Sequence, residues 1–260
     1  MTKLQIGAQM YSVRDHCQDP AEMLKCMKEL KAIGYNSCQL SGHNKEFTAE
    51  QLKGMLDEAG MTCPCTHISF QQMEEDIDAV IKYHKTLECE YPGIGGLPGE
   101  FRTSPEGYIE FAKRASKVAE KLLDNGQHFI YHNHAFEFYR FPEVGKTGLE
   151  LLMENCSEAV QFELDMFWVQ MGGGNPLEWI EKVRGRMDVA HFKEMNGTPE
   201  SRNVIAPIGA GNMNWTAIMK ACDDIGVKYA MIEQDNAVET DSIACMKFSY
   251  NTLSKLGGRF

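Results

Sequence analysis

The stretch VQFELDMFWVQMGGGNPLEWIEKVRGRMDVAHF, residues 160–192, contains a complete strand–helix–strand unit. Its two short apolar runs, 160–165 and 187–192, are typical of buried strands, and the amphipathic segment 175–184 between them predicts a helix. The pair Asn175-Pro176 is typical of a helix start, because asparagine caps the first turn and proline fits into it. This stretch therefore predicts an α/β fold in which strands alternate with helices.

The same alternation extends over the whole chain. Predicted strands lie at 4–10, 35–40, 61–67, 90–95, 127–133, 160–165, 187–192 and 228–234. Predicted helices lie at 20–33, 48–59, 70–86, 105–124, 147–155, 175–184, 214–225 and 239–256. Eight strand–helix units in 260 residues predict a single (β/α)₈ TIM barrel, one domain over residues 1–260. A doubly wound open sheet is the alternative, but it usually has fewer strands, and its glycine-rich dinucleotide loop after the first strand is missing.

The composition of the chain argues against some classes of binding partner and indicates a cellular compartment. The formal net charge of -11 argues against a nucleic-acid backbone or an anionic membrane as the main partner. No apolar run approaches the roughly 18–20 residues of a spanning helix, and we expect no signal peptide in the opening stretch. The nine cysteines, an odd number, favour buried reduced thiols and a cytoplasmic location.

Polar side chains end four of the apolar strands at one level. In a barrel the carboxyl ends of the strands form the mouth, where active sites lie. Asp165, His191 and Glu233 end three of these strands, and the segment His132–Glu137 ends a fourth. Because uncompensated carboxylates repel in a concave site, the convergence predicts one divalent ion, with Mn²⁺, Mg²⁺, Zn²⁺ and Co²⁺ as candidates. Taken singly, Asp165 suits a helix cap, His191 a core histidine, and Glu233 an ion pair with Lys193.

Further residues are expected around this mouth. Those with an expected role in substrate binding are Gln9, Tyr11, Arg14, His67 and Trp168. Tyr11 and Trp168 are equally suited to packing, and Arg14 suits either a phosphate contact or a structural clamp. Histidines in helical or loop surroundings, which we expect at the surface, are His16, His84 and His128.

Six segments carry a resemblance to a known family. They are IGAQMYSVRD (6–15), YHNHAFEF (131–138), LDMFWVQMGGGNP (164–176), VAHFKE (189–194), PIGAGNMNW (207–215) and MIEQD (231–235). Their order and spacing resemble the xylose isomerase-like TIM-barrel superfamily, and within it the sugar phosphate isomerase/epimerase branch. The resemblance implies a metal held by Glu, Asp, His and Glu, of which Asp165, His191 and Glu233 match the last three. His132 stands where the first glutamate is expected. Glu137 is the favoured first ligand because it keeps three carboxylates, and His132 is the alternative.

The resemblance also implies an activity. We expect a metal-dependent isomerase or epimerase that removes a proton next to the carbonyl of a sugar and forms an enediolate. Glu233 is the favoured acid/base, with His132, His134 or Glu137 as its partner. Lys193 is expected to stabilise the enediolate or hold a hydroxyl, or to form an ion pair.

Other readings of the same site remain open. One is a lyase or dehydratase acting on a keto-sugar, an inosose or a 3-keto-glycoside, and another is a non-catalytic sugar-binding barrel. An apurinic endonuclease is disfavoured by the acidic charge of the chain. Relatives often form dimers or tetramers, so the resemblance also implies a homodimer or homotetramer.

Overall fold

The fold is a parallel barrel surrounded by helices. A computed structural model describes residues 4–260, and its barrel strands are β1 (Gln5–Gln9), β2 (Ser37–Leu40), β3 (Thr62–His67), β4 (Tyr91–Ile94), β5 (Ile130–His132), β6 (Gln161–Glu163), β7 (Val189–Phe192) and β8 (Tyr229–Ile232). Hydrogen bonding runs from β6 back to β1 and on to β8 and β7. An isolated parallel bridge between Asp165 and His191 joins the two ends of this sheet. The predicted (β/α)₈ barrel is confirmed, and two candidate metal ligands lie at its closure.

The outer layer is helical. Its helices are α1 (Pro20–Ile33), α2 (Ala49–Ala59), α3 (Phe70–Glu75), α4 (Ile77–Thr86), α5 (Pro105–Leu123), α6 (Gly148–Asn155), α7 (Met166–Met171), α8 (Pro176–Lys182), α9 (Trp215–Ile225) and α10 (Ser242–Lys255). The side chains of Asp19 and Asn175 cap α1 and α8, each ahead of a proline. Local sequence therefore sets these starts, because the caps satisfy backbone N–H groups that have no partner within the helix.

Three features differ from the sequence-based prediction. The helix expected over 70–86 is broken at Asp76, whose carboxylate caps α4 by accepting from the backbone N–H of Ala79 at 3.0 Å. The short helix α7 follows β6 directly, in a stretch between the predicted strand 160–165 and the predicted helix 175–184 for which no element was predicted. Two antiparallel hairpins, Arg140–Phe141 with Lys146–Thr147 and Glu194–Gly197 with Asn203–Ala206, follow β5 and β7. Their strands have four residues or fewer, too short for a clear alternating pattern.

The inside of the barrel has an apolar layer below its polar mouth. Side chains two residues apart on a strand share a face, so Ile130 and His132 point the same way, as do Val189 and His191. The residues that pack into this separate inner cluster are Cys65, Tyr91, Ile130, Val189 and Met231. The ionisable groups above it therefore lie on an apolar layer. Because a buried charge without a partner is costly, such groups are expected to form ion pairs or to bind a cation.

His84 is buried rather than at the surface, which corrects the sequence-based expectation. Its side chain is fully buried in α4. Its Nδ1 donates to the carbonyl of Val80 at 2.7 Å, which leaves Nε2 to accept from the hydroxyl of Thr66 at 2.7 Å. This contact links α4 to β3. Burial lowers the pKa of His84 to about 4, although the Val80 carbonyl opposes the shift.

We expect His84 to weaken the fold in acid. Its pKa is lower in the folded chain than in the unfolded chain, so the neutral ring stabilises the fold above about pH 6.5, and this contribution is lost as the pH falls towards 4. The shift corresponds to about 3 kcal/mol. Urea unfolding at pH 7 and pH 4 would measure it. The variant His84→Gln should lose less stability over this range than the wild type. Equal losses would contradict the assignment.

Neither membrane spanning nor disulfide bonding appears in the described part of the chain. Between residues 4 and 260, no helix combines the length and the apolar character that crossing a bilayer requires. All nine cysteines are free thiols, and only Cys156 and Cys245 are not fully buried. Burial raises the pKa of most of these thiols, for example that of Cys26 to about 12. The expectation of buried, reduced cysteines therefore agrees with the structure.

Candidate metal centre and active site

Four buried side chains converge at the mouth of the barrel. They are His132, Asp165, His191 and Glu233, and their candidate ligand atoms all lie within 4.8 Å of one another. Nδ1 of His191 is 2.9 Å from Oε2 of Glu233, and Nε2 of His132 is 3.4 Å from Oδ2 of Asp165. The distances from His132 to Glu233 and from His191 to Asp165 are both 3.9 Å.

These separations fit a single small cation. Tetrahedral ligands that bind at about 2.0–2.2 Å lie about 3.3–3.6 Å from one another. The four separations given above, between 2.9 and 3.9 Å, bracket that range. The donor set contains two imidazole nitrogens and two carboxylate oxygens, a mixture that suits divalent transition metals.

In His132 and Asp165, the side-chain atom that does not face the shared centre forms a hydrogen bond elsewhere in the protein. Nδ1 of His132 donates to the carbonyl of Gly95 at 3.3 Å, so Nε2 is the nitrogen with a free lone pair. Oδ1 of Asp165 accepts from the backbone N–H of Trp168 at 3.0 Å, where it caps α7. The other oxygen, Oδ2, faces the shared centre. Capping and metal binding by Asp165 are therefore compatible.

Lys193 lies against the same carboxylates. Its ammonium is buried and is 3.1 Å from Oδ2 of Asp165, 2.8 Å from Oε2 of Glu233 and 3.1 Å from Oδ2 of Asp235. Burial lowers the pKa of Lys193, but the three carboxylates outweigh it and hold the pKa well above its usual value. Lys193 is thus a fixed positive charge beside the candidate ligands, and it contacts the two oxygens that would bind a cation.

Neighbouring charges shift the pKa values of residues in the four-residue cluster. Burial raises the pKa of Glu233, but Lys193 and His191 outweigh it and hold the carboxyl ionised. Burial lowers the pKa of His191, but Glu163 and Glu233 raise it to about 10. A cation at Nδ1 would replace a proton there, so ion binding at this position is coupled to pH.

Glu137, the other candidate for the strand-five ligand, lies outside this cluster. It lies in the 3₁₀ turn Phe136–Phe138 and is fully buried. One carboxylate oxygen accepts from the hydroxyl of Tyr131 at 2.7 Å, and the other accepts from the backbone N–H of His134 at 2.9 Å. Burial raises its pKa to about 8 against these hydrogen bonds. The structure brings His132, rather than Glu137, to the other three candidate ligands.

His134 and Trp168 present polar atoms that have no partner within the described residues. Nδ1 of His134 and Nε1 of Trp168 are buried and lack a hydrogen bond. The two rings are 5.2 Å apart, and Nζ of Lys193 is 5.3 Å from the Trp168 ring. Burial, with the nearby His132 and Lys193, lowers the pKa of His134 to about 3, so its ring is neutral. A ligand with hydroxyl groups would satisfy both atoms.

The other predicted substrate-binding residues lie at two depths in the mouth of the barrel. Tyr11 is at the rim with 37% of its surface exposed, and the Arg14 guanidinium lies 4.2 Å from the centre of its ring. Arg14 also donates to the Tyr11 carbonyl at 2.9 Å, which suits the structural clamp. Gln9 is deeper and donates to Gln39 at 2.8 Å. The ring of His67 is 5.3 Å from that of His191.

Glu163 is a further residue of the site that was not predicted from the sequence. Glu163 is fully buried and forms a second group with His67 and His191, whose candidate ligand atoms also lie within 4.8 Å of one another. The available signal was its spacing: Glu163 lies two residues before Asp165, so both side chains point into the barrel.

Comparisons with known proteins agree with this architecture. A family model described as Xylose isomerase-like TIM barrel matches residues 27–247. Curated protein sequences give no match. A sugar phosphate isomerase/epimerase from Parabacteroides distasonis ATCC 8503 aligns with a TM-score of 0.79 at 22% identity, covering 97% of this chain and 94% of that one. The probable 3-DHS dehydratase AsbF from Bacillus anthracis gives 0.72 at 15%, covering 96% and 99%. An L-ribulose 3-epimerase gives 0.72 at 15%, covering 97% and 94%. At these identities the structural likeness concerns the fold.

Proposed function

This chain belongs to the family of xylose isomerase-like TIM barrels, and from that premise we propose that it is a divalent-metal-dependent isomerase or epimerase of a sugar or sugar derivative. The observation that carries the proposal is the convergence of four buried ligand atoms, from His132, Asp165, His191 and Glu233, at separations that fit one ion. Fold alone does not define an activity, so the proposal depends on this site.

The proposed ligands are the four residues of that cluster, with His132 in place of Glu137. Two imidazoles among four ligands favour Zn²⁺ or Co²⁺, whereas a set richer in oxygen would favour Mn²⁺ or Mg²⁺. Such an ion supplies Lewis-acid polarisation of a substrate carbonyl or alkoxide, which acidifies the neighbouring carbon.

The protein side chains then have separate roles in proton transfer. The contacts of Glu233 with His191, His132 and Lys193 all use Oε2, so Oε1 is the oxygen available to take a substrate proton. The neutral ring of His134 offers Nδ1 as the partner acid/base or hydroxyl acceptor. Lys193 holds a positive charge 2.8 Å from Oε2 of Glu233, inside the site, where it would stabilise the negative charge of an enediolate.

Exchange of a carbon-bound proton with solvent tests the proposal directly. The protein would be stripped with a chelator, reloaded with Mn²⁺, Co²⁺, Zn²⁺ or Mg²⁺ and incubated in D₂O with a panel of ketoses and 3-keto-glycosides. We expect metal-dependent deuterium incorporation next to the carbonyl in the NMR spectrum of at least one sugar. Release of a leaving group would instead identify the lyase alternative. Sugar binding without exchange would identify a non-catalytic barrel, and absence of metal binding would refute the proposed site.

The strand-five ligand can be tested by metal affinity alone. We expect His132→Ala to weaken Mn²⁺ or Co²⁺ binding by at least about 100-fold, because it removes a ligand and not only an outer contact. Glu137→Gln, which keeps the size of a carboxylate outside the cluster, should leave the affinity within about threefold. Titration calorimetry of both variants measures this. The reverse ranking would make Glu137 the ligand.

A further inference from the structure

Glu163 is a buried carboxylate that the proposed metal set does not use. It lies on β6 below Asp165 and has no exposed surface. One oxygen is 2.5 Å from Nε2 of His67, and the other is 3.1 Å from Nε2 of His191. The second oxygen also accepts from Nε2 of Gln39 at 2.9 Å. Every described contact of this carboxylate is therefore with a nitrogen that carries or can carry a proton.

The ring of His191 is shared between the metal cluster and Glu163. Its Nδ1 faces Glu233 at 2.9 Å, within the proposed ligand set. Its Nε2, on the opposite side, faces Glu163 and also lies 2.5 Å from the side-chain oxygen of Gln39. An imidazole that binds a metal through one nitrogen keeps a proton on the other, and acceptors for that proton fix both the tautomer and the ring orientation.

A second cation between His67, Glu163 and His191 is the competing interpretation of the same atoms. It would require both nitrogens of His191 to bind metal, which removes the last ring proton. It would also place a cation beside the amide N–H of Gln39, which donates to the same carboxylate oxygen. Both features oppose a second ion. They suit a carboxylate that accepts hydrogen bonds.

We propose that Glu163 is a positioning residue for the metal centre: it shares the Nε2–H of His191 with the nearer side-chain oxygen of Gln39, directs Nδ1 towards the ion, and holds the ring of His67 beside the site. Gln39 supports this arrangement, because its amide nitrogen donates to Glu163 while its oxygen lies next to His191 and accepts from Gln9. The inference rests on the proposed function, because it requires His191 to be a metal ligand.

The test compares Mn²⁺ binding in the wild type and in Glu163→Gln, followed by the EPR signal of free Mn²⁺. We expect one ion per chain in both proteins and an affinity about 10–100-fold lower in the variant. The control is Glu194→Gln, another fully buried carboxylate, which accepts from the backbone of Gly209 and the indole of Trp215 away from His191. It should bind Mn²⁺ as the wild type does.

Each other outcome overturns the inference. Unchanged affinity in Glu163→Gln, or an equal loss in the Glu194→Gln control, removes the specific role of Glu163. Two ions in the wild type and one in the variant would establish a second cation site. If the wild type binds no Mn²⁺, the proposed function fails together with the inference. The other outcomes overturn only the role of Glu163, so the two kinds of failure can be told apart.

A measurement on the wild type covers the case in which Glu163→Gln does not fold. Nitrogen-15 NMR of the histidine rings in the Zn²⁺-loaded protein should show His191 with a proton on Nε2 and metal on Nδ1. Metal on Nε2, or on both nitrogens, would overturn the proposal.

Discussion

Replacement of Glu233 by glutamine is expected to lower kcat/KM for proton exchange by about 1,000-fold or more, measured at saturating metal. The substitution removes a basic oxygen next to the substrate, and general acid/base catalysis contributes about 10²–10⁴-fold. It also removes the negative charge that His191 and Lys193 contact through Oε2, at 2.9 and 2.8 Å. The measurement is the rate of deuterium incorporation into the sugar that the wild type exchanges.

Two comparisons make the Glu233 result interpretable. Glu239→Gln, six residues further on and exposed on a 3₁₀ turn, should retain the wild-type rate. Metal content of Glu233→Gln, measured in the same samples, separates loss of the ion from loss of the base. If the metal-loaded variant keeps a tenth or more of the wild-type rate, another group is the acid/base, and His134 is then the first residue to replace.

The strand ends that carry the site were predictable because parallel strands are buried on both faces. A polar residue such as Asp165 or Glu233 at the end of an apolar run therefore stands out in the sequence. The barrel then brings these ends together, and its closure pairs Asp165 with His191.

The choice between His132 and Glu137 was not predictable in the same way. Glu137 lies in a 3₁₀ turn, and the direction of its side chain depends on the hydroxyl of Tyr131 and the N–H of His134. These are contacts within a loop that no periodic pattern describes. Counting carboxylates favoured Glu137, whereas the geometry favours His132.

Contacts between segments that are distant along the chain could not be predicted from the sequence either. His84 pairs with Thr66, and Glu163 pairs with His67 across 96 residues of chain. A buried histidine on an amphipathic helix has the same sequence appearance as an exposed one, and Glu163 within VQFELD reads as an ordinary strand residue. Their roles follow from which strands are neighbours in the closed barrel.

Removal of the Lys193 charge should destabilise the metal-free protein strongly and the metal-loaded protein much less. Lys193→Met keeps an unbranched side chain that is one atom shorter, but leaves Asp165, Glu233 and Asp235 without their shared cation. Loss of one partner from a buried ion pair costs about 3–5 kcal/mol. This corresponds to a fall in Tm of roughly 10 °C for a chain of this size.

The reason for rescue by metal is that both cations use the same oxygens, Oδ2 of Asp165 and Oε2 of Glu233. Thermal unfolding with and without Mn²⁺ should therefore show a larger rise in Tm for Lys193→Met than for the wild type. Lys228→Met is the matched control, because Lys228 is half-exposed and pairs with Asp188 at 3.0 Å at the opposite end of the barrel. An exposed pair contributes about 1 kcal/mol or less, so this variant should lose little stability and gain no extra rescue. If Mn²⁺ fails to restore Lys193→Met, the lysine acts through packing, and the carboxylates do not form the cation site.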